Sequence, residues 1–242
     1  MNRNGQDFAM IQDRKRLILD ILKENGSATV KEIAERIYVS EATVRRDLRE
    51  LWRLGMVERT HGGAVLSDNA EEISIFVRMA ENSRGKELAA TNALSLIPKF
   101  NTVFVDSSST ALALASRLDL SYKTVVTNNL ETAFRLSKKE NVNVIILGGA
   151  VQYNTVSSTG SYTVRSIEEF SFDLVILSCA AVNGEELFER SLEQREIKLA
   201  ALKRGKFKLL VFDSSKYGAQ GAYKLGNLSD FDRIATDINI TE

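Results

Sequence analysis

Arginines interleaved with apolar residues between positions 40 and 51 have the chemistry needed to read DNA. Arg45, Arg46 and Arg49 carry planar guanidinium groups that fit phosphate oxygens or the O6/N7 edge of guanine. Thr43 can contact base edges or a thymine methyl group. The apolar residues that recur at helical spacing are Val44, Leu48 and Leu51. The stretch therefore predicts a helix capped by Ser40, with one buried face and one basic face.

The segments on either side predict the elements that would hold this helix. Residues 18–22 form the apolar stripe of a first helix, and Thr29, with a glutamate three residues later, has the capping-box spacing that starts a second helix. Residues 38–40 are a turn of the length found in helix-turn-helix motifs. Residues 56–60 alternate as a short strand before the turn at residues 61–63, which is typical of a wing on the DNA backbone.

The residues expected to contact DNA come from the helix caps, the basic face and the turn of the wing. They are Thr29, Ser40, Glu41, Thr43, Arg45, Arg46, Arg49, His61, Gly62 and Gly63. The competing interpretation is that the arginines form the solvated face of an ordinary helix. Three capped helices followed by a wing favour DNA binding.

The rest of the chain predicts a second domain of α/β class. Short apolar or β-branched runs alternate with helical segments, which indicates a mainly parallel sheet covered on both faces. The predicted strands are Thr102–Val105, Thr124–Val126, Val142–Leu147, Leu174–Leu177, Lys208–Phe212 and Arg233–Ala235. A helix from Arg84 to Ile97, stopped by Pro98, is expected to precede them.

Polar clusters follow five of these strands, at the edge where open α/β sheets bind their ligands. The clusters are Asp106–Thr110, Thr127–Asn129, Gly148–Gly149, Ser178–Cys179 and Asp213–Lys216. Hydroxyls and backbone N–H groups at a helix start form a cradle for an anion, and Lys216 adds a positive charge. The sequence therefore predicts a crevice for a phosphate-bearing sugar.

Helix capping is the alternative explanation for these clusters. The spacings Asn128-x-x-Glu131 and Ser191-x-x-Gln194 match capping boxes, and any single cluster can be a cap alone. Cys179 is expected to be a small buried hydrophobe at a strand end rather than a nucleophile. The only histidine, His61, belongs to the wing and cannot activate that thiol.

Composition fits a two-domain protein with a local DNA-binding patch. The chain has 32 basic and 32 acidic residues, so its surface as a whole is not that of a nucleic-acid binder. A single cysteine excludes an intramolecular disulfide, and the lack of a long apolar run predicts a cytoplasmic protein without a membrane span. The expected divisions are a winged helix-turn-helix domain at 1–66, a linker at 67–83 and an α/β domain at 84–242.

The amino-terminal pattern resembles the signature of DeoR-type bacterial transcriptional regulators. The matching residues are Arg16, the Val30-Lys31-Glu32-Ile33-Ala34 step, Val39-Ser40, the Thr43–Leu48 run, Gly55, Arg59 and His61-Gly62-Gly63-Ala64. The resemblance continues to about Asp237 as that family's sugar-phosphate sensor domain. It implies a fold similar to ribose-5-phosphate isomerase and a homo-oligomeric repressor, dimer or tetramer, of a carbohydrate-metabolism operon. A phosphorylated sugar would release it from double-stranded operator DNA.

The resemblance also implies which residues bind the effector. They are Ser107, Ser108, Ser109, Thr110, Thr127, Asn128, Asn129, Gly148, Gly149, Glu193 and Lys198; the strand-end argument adds Asp106, Cys179 and Lys216. Two departures from the family pattern are visible. The first loop has a further hydroxyl where Asp-x-Gly-Thr-Thr is frequent, and Ala180 stands where related isomerases carry a carboxylate.

Two other functions compete with this prediction. A sugar-phosphate isomerase would need Glu193 or Lys198 as acid or base, but Glu193 is explained by the helix dipole and Lys198 by an ion pair with Glu193 or by anchoring a phosphate. A DNA-binding protein without an effector would use the α/β domain only to dimerise. The sequence favours a regulator that is not an enzyme, and neither a cofactor nor a metal is expected.

Overall fold

A computed structural model of the chain describes residues 14–15, 17–22, 24–53, 57–66 and 75–238. The chain divides into two compact units, Met1–Ala80 and Glu81–Glu242. Arg16, Gly55, the predicted helix end at residues 54–55 and residues 67–74 of the predicted linker lie outside the described residues. Among the described residues, no helix is both long and apolar enough to cross a membrane.

The first unit contains three helices of a helix-turn-helix motif and a small antiparallel sheet. Helix α1 comprises the described helical residues between 14 and 25. The later elements are β1 (Ser27–Thr29), α2 (Val30–Arg36), α3 (Glu41–Arg53), β2 (Val57–Thr60), β3 (Gly63–Leu66) and α4 (Ile75–Ala80). The strand order is β1-β3-β2, so the predicted wing is extended by the unpredicted strand β1. Helix α4 lies in the range predicted as linker.

One apolar core holds these three helices together. Ile18, Leu22, Ile33, Val44 and Leu51 are almost fully buried in it. The capping box predicted at the start of α2 is present, since Thr29 and Glu32 satisfy each other's backbone N–H groups. The interior positions of α3 follow the helical period read from the sequence, which leaves the opposite face of α3 exposed.

The second unit is built on a six-stranded parallel sheet with the order β14-β12-β9-β4-β5-β6. Its strands are β4 (Thr102–Val105), β5 (Thr124–Thr127), β6 (Asn143–Ile146), β9 (Phe172–Leu177), β12 (Gly205–Val211) and β14 (Arg233–Ala235). The helices are α5 (Ser83–Leu94), α6 (Ser109–Arg117), α7 (Leu130–Leu136), α8 (Ser161–Glu168) and α9 (Leu192–Arg204). The predicted α/β fold with a parallel sheet is confirmed.

Each face of this sheet has its own core because successive strand residues point to opposite sides. Val103 and Val105 pack on one side with α5, α6 and Leu136, whereas Phe104 packs on the other side with residues of α8 and α9. Helix α5 ends at Leu94 rather than at the predicted Ile97. The residue before Pro98 is pushed toward extended backbone, so Ile97 itself is not helical.

Two small antiparallel sheets were not predicted from the sequence. The first pairs β7 (Ala150–Gln152) with β8 (Ser157–Thr159). The second has the order β10 (Ala181–Asn183), β11 (Glu186–Glu189) and β13 (Tyr223–Asn227). Both carry polar residues, so they lack the continuous apolar pattern that marks the six parallel strands.

Candidate functional site

Helix α3 presents its arginines on the exposed side of the first unit. The Ser40 hydroxyl accepts a hydrogen bond from the N–H of Thr43 at 3.2 Å, so the predicted cap is in place. Arg46 and Arg49 are exposed, and Arg45 forms a half-exposed ion pair with Glu41 at 2.7 Å. This face offers guanidinium donors at the spacing of successive helix positions, which suits phosphate and base contacts.

An acidic residue of α3 is turned inward, which the sequence analysis did not predict. Asp47 is 1% exposed and accepts a hydrogen bond from Arg14 of α1 at 2.9 Å. This hydrogen bond raises the pKa of Arg14, against the opposing effect of burial. The pair joins α1 to α3 and removes the Asp47 carboxylate from the face that carries the arginines. Lys15 and Glu50 form a further ion pair between the same helices.

The wing brings a glycine turn close to α2. His61 and Gly62 are exposed at its tip, and Gly62 has φ +90°, which favours glycine. Gly63 is buried, and a Cβ there would lie 2.2 Å from the carbonyl oxygen of Ala28. Of the residues predicted to contact DNA, Gly63 is the one that is buried. Thr29 is exposed, with its hydroxyl engaged in the capping box.

A shallow cavity of about 430 Å³ lies between α3 and the wing. It is lined by Trp52, Arg59, Thr60 and His61. Trp52 is 52% exposed, although tryptophan is usually well buried. Trp52 was not among the residues predicted to contact DNA; its position on the polar side of the helical period was the available signal.

The second candidate site lies at the carboxyl ends of the parallel strands and begins with Asp106. Asp106 is fully buried after β4, and its carboxylate accepts N–H bonds from Ser108 and Ser178, each at 2.9 Å. Lys198 of α9 lies 3.1 Å from that carboxylate and donates to the carbonyl oxygen of Ser178 at 2.8 Å. Lys198 also forms an ion pair with Glu189 of β11. These residues form a buried group that we call the Lys198 triad: Asp106, Glu189 and Lys198.

The pKa of Lys198 follows from two opposing effects in the triad. Burial alone lowers the pKa of an ammonium group, but the negative charges of Asp106 and Glu189 outweigh burial and raise it above 10.5. The ammonium therefore stays charged at neutral pH. The expected pairing of Lys198 with Glu193 is wrong, because Lys198 points to Glu189 whereas Glu193 is exposed in the first turn of α9.

The serine loop after β4, residues 107–110, is buried, and the hydroxyls of Ser107 and Ser108 have defined partners. Ser108 caps α6 by accepting the N–H of Ala111 at 3.0 Å. The Ser107 hydroxyl donates to the side-chain oxygen of Gln194 at 2.8 Å. Ser109 and Thr110 form the first turn of α6 and are buried. Gln194 was not predicted to belong to this site.

The asparagines after β5 differ from their predicted roles. Asn129, not Asn128, caps α7 by accepting the N–H of Thr132 at 2.8 Å, so the predicted Asn128-x-x-Glu131 capping box is wrong. Asn128 is fully buried and donates to the carbonyl oxygen of Ser158 at 3.0 Å, while its own side-chain oxygen has no partner among the described residues. Thr127 is buried beside them and accepts the N–H of Asn129 at 3.1 Å.

The remaining predicted residues surround this edge of the sheet. Gly148 and Gly149 are exposed after β6, and a Cβ at Gly149 would lie 2.1 Å from the Thr163 hydroxyl. Lys216 is partly exposed in a short 3-10 helix after β12. Asp213 is buried just before that helix and accepts hydrogen bonds from the amide of Asn82 at 2.6 Å and the N–H of Ser215 at 3.1 Å.

Two family descriptions match nearly the whole described chain. The "DeoR-like helix-turn-helix domain" matches residues 14–70, and the "DeoR C terminal sensor domain" matches residues 81–238. The chain belongs to the DeoR family of transcriptional regulators.

Relatives of this DeoR-family chain match it over almost its full length. The HTH-type transcriptional regulator GolR of Listeria innocua is 33% identical over 95% of this chain and 92% of its own length. The glycerol-3-phosphate regulon repressor of Escherichia coli is 31% identical, covering 91% of this chain and 88% of its own. The lactose phosphotransferase system repressor of Streptococcus mutans is 32% identical, covering 93% and 92%.

Among solved structures, similar chains share little sequence with this protein. The eIF2B delta subunit of Chaetomium thermophilum is 14% identical with a TM-score of 0.47, covering 67% of this chain and 59% of its own. A D-ribose-5-phosphate isomerase in complex with phospho-erythronic acid is 12% identical with a TM-score of 0.41, covering 56% and 54%.

Cys179 of this DeoR-family protein lies in the core, as its interpretation as a small hydrophobe requires. It is 5% exposed and packs in the core on the face of the sheet that contains Phe104. Burial, reinforced by the negative charge of Glu189, raises the pKa of the Cys179 thiol to about 12. The thiol therefore stays protonated at neutral pH, which is unsuited to a nucleophile.

Proposed function

We propose that this protein represses a carbohydrate-metabolism operon and leaves its operator when a phosphorylated sugar binds the second unit. The observation that carries the proposal is the exposed arginine face of α3 in a helix-turn-helix unit that precedes a sensor domain. The relatives include a glycerol-3-phosphate regulon repressor and a lactose phosphotransferase system repressor, which supports the same class. Its proposed place of action is the cytoplasm, where the operator lies.

In the proposed DNA complex, α3 lies in the major groove and the wing contacts the backbone. Arg46 and Arg49 supply guanidinium groups to bases or phosphates, and Arg45 exchanges its pair with Glu41 for a phosphate. Trp52 and Arg59, which line the cavity beside the wing, join the residues proposed from the sequence. Two or more copies would present their α3 helices to half-sites about one helical turn apart, or a multiple of that spacing.

In the proposed effector complex, the phosphate binds at the start of α6. Thr110 lies in the first turn of a nine-residue helix, whose N-terminus favours an anion. The unpartnered side-chain oxygen of Asn128 supplies an acceptor for a sugar hydroxyl. Lys216 contributes a cation from the carboxyl end of β12, which is separated from β4 by β9.

Effector binding must favour an arrangement of the copies in which the α3 helices no longer fit the operator. A coupling free energy of about 1 to 3 kcal/mol between the two sites would change DNA affinity roughly 5- to 150-fold. An effector-independent DNA-binding protein would show no such coupling, so the coupling decides between these two functions.

Isomerase activity is disfavoured by the state of Lys198. A general acid or base works best with a pKa near the operating pH, whereas two carboxylates hold the Lys198 pKa above 10.5. The triad therefore acts as a fixed structural group in this proposal. Incubating the purified protein with aldose phosphates tests the alternative, and turnover at enzyme-like rates would contradict the proposal.

The deciding experiment measures binding of the full-length protein to labelled duplexes from its own promoter region by fluorescence anisotropy. We expect tighter binding to one promoter duplex than to a shuffled duplex, and release when a phosphorylated sugar is added. Arg46→Ala should weaken binding, and loss of a phosphate contact would lower the slope of log affinity against log salt by about one. Arg165→Ala, which removes an exposed arginine of α8, is the matched control.

Failure would take two distinguishable forms. Equal affinity for promoter and shuffled duplexes, with and without sugars, would contradict a sequence-specific regulator. Specific DNA binding that no phosphorylated sugar alters would leave the DNA-binding function and remove the effector.

A further inference from the structure

Gln194 connects two parts of the ligand crevice that are distant in sequence. Its side chain is 3% exposed and accepts a hydrogen bond from the Ser107 hydroxyl at 2.8 Å. Its amide nitrogen donates to the Ser157 hydroxyl at 2.9 Å. Ser157 lies in turn 2.7 Å from the hydroxyl of Thr155 in the turn between β7 and β8. The Gln194 amide thus lies between the serine loop and that turn.

This side chain is not needed to begin α9. The sequence pattern Ser191-x-x-Gln194 predicts a capping box, and Ser191 does accept the N–H of Gln194 at 3.3 Å. In a full capping box the Gln194 side chain would also accept the backbone N–H of Ser191. Instead its oxygen accepts from Ser107 and its nitrogen donates to Ser157. The capping-box prediction is therefore only half right, and the amide is placed for another role.

The bond to Gln194 uses the single proton of the Ser107 hydroxyl. A hydroxyl donates only once, so Ser107 cannot donate to a phosphate while it donates to Gln194. A phosphate that takes this proton leaves the buried Gln194 oxygen without its donor, which is unfavourable. A ligand avoids this loss only if it brings a donor of its own, such as a hydroxyl near the phosphate.

We propose that Gln194 determines effector specificity by admitting phosphate esters that carry a neighbouring hydroxyl and disfavouring phosphates that lack one. The ligand hydroxyl donates to the Gln194 oxygen, while Ser107 turns its proton to the phosphate. The inference rests on the proposed effector function. In addition, Gln194 and the ligand hydroxyl would distinguish a polyol or sugar phosphate from a phosphate ester without a hydroxyl.

The experiment compares hydroxylated and hydroxyl-free phosphates on the full-length protein. The hydroxylated probes are glycerol 3-phosphate, ribose 5-phosphate and glucose 6-phosphate, and the hydroxyl-free probe is n-propyl phosphate. Binding constants come from calorimetric titration, and specificity is the affinity of the best hydroxylated probe divided by that of n-propyl phosphate. Gln194→Leu keeps side-chain bulk and removes the acceptor, so we expect this ratio to fall about tenfold, the effect of losing one well-made hydrogen bond.

Two further variants separate specificity from folding. Gln194→Glu keeps an acceptor for both hydroxyls and adds a negative charge, so all phosphates should bind more weakly while the ratio is retained. Gln220→Leu makes the same change at an exposed glutamine and should alter neither affinity nor ratio. Circular dichroism melting of each variant shows whether it is folded, and Gln194→Glu supplies the comparison if Gln194→Leu does not fold.

The outcomes separate this inference from the function on which it rests. A lower ratio in Gln194→Leu with a retained ratio in Gln194→Glu supports the role of Gln194. An unchanged ratio in Gln194→Leu, or a ratio lost equally in Gln194→Glu, overturns it while the effector function stands. If the parent protein binds none of the four probes, the proposed effector class fails and the inference fails with it.

Discussion

Replacing Lys198 with methionine should destabilise the second unit strongly. Lys198 is 4% exposed and lies between Asp106 and Glu189, themselves 0% and 5% exposed. The substitution leaves two buried carboxylates facing each other and the carbonyl oxygen of Ser178 without its donor at 2.8 Å. Breaking a buried pair by removing one partner costs about 3 to 5 kcal/mol.

The length of the unit determines how far this loss of free energy lowers the melting temperature. For a unit of this length each kcal/mol lowers the melting temperature by about 2 to 4 °C, so the expected fall is roughly 6 to 20 °C. The matched control is Lys206→Met. Lys206 has a 71% exposed side chain and pairs with Asp173 at 2.9 Å, a surface pair worth about 0 to 1 kcal/mol.

The pH dependence gives a second, independent test of the triad. The raised pKa of Lys198 means that its stabilisation is fully present below pH 10.5 and is lost as pH rises through the still higher folded value. The melting temperature lost in Lys198→Met should therefore be about the same at roughly pH 7 and roughly pH 9, both below the range in which Lys198 loses its proton. Calorimetric melting at both pH values measures this. Equal melting temperatures for the two lysine variants would refute the reasoning.

Three further predictions concern packing, a surface carboxylate and the thiol. Gly63→Ala should destabilise the first unit by about 1 to 3 kcal/mol, since its Cβ would lie 2.2 Å from a backbone oxygen, whereas Gly148→Ala, with nothing within 4 Å, should not change melting. Lys206 and the N–H groups of residues 101 and 102 lower the pKa of Asp173. Asp173→Asn should therefore be less stable than the parent above pH 3.8, and the difference should vanish as pH falls through the folded pKa of Asp173. Unfolding measured over an acid pH series tests this. With a pKa raised to about 12, Cys179 should react with a thiol reagent only after unfolding; reaction in the native protein at neutral pH would contradict its burial.

The elements that were predicted from sequence are those whose burial depends on apolar side chains. The runs at Thr102–Val105 and Arg233–Ala235 match strands β4 and β14 residue for residue. Strand β8 was missed because Ser157, Ser158 and Thr159 are buried through hydrogen bonds rather than apolar surface. Hydropathy carries no signal for a polar strand of that kind.

The candidate site was predicted in position but not in its internal pairing. Strand ends identified Asp106 and Asn128, since the carboxyl ends of parallel strands meet at one edge, whereas Lys198 was implied by the family resemblance. Lys198 pairs with Glu189 of β11, and Ser107 donates to Gln194 of α9; only the tertiary fold brings these partners together. The cap at Asn129 shows the same limit, because either asparagine fits the local pattern and the bond from Asn128 to Ser158 decides between them.

These pairings change what can attract an anion in the crevice. Lys198 is already matched by two carboxyl groups. Burial raises the pKa of Asp213, but hydrogen bonds from Ser215 and Asn82, and then the charges of Lys86 and Lys216, lower it overall, so Lys216 also acts on a carboxylate of the protein. The extra hydroxyl of the serine loop, at Ser108, caps α6 and does not enlarge the cradle. A phosphate at this edge would therefore be held mainly by directed N–H and O–H groups. Each such donor has a fixed direction and a limited number of protons to donate. The residues that already accept those protons, such as Gln194, therefore control specificity more than net charge does.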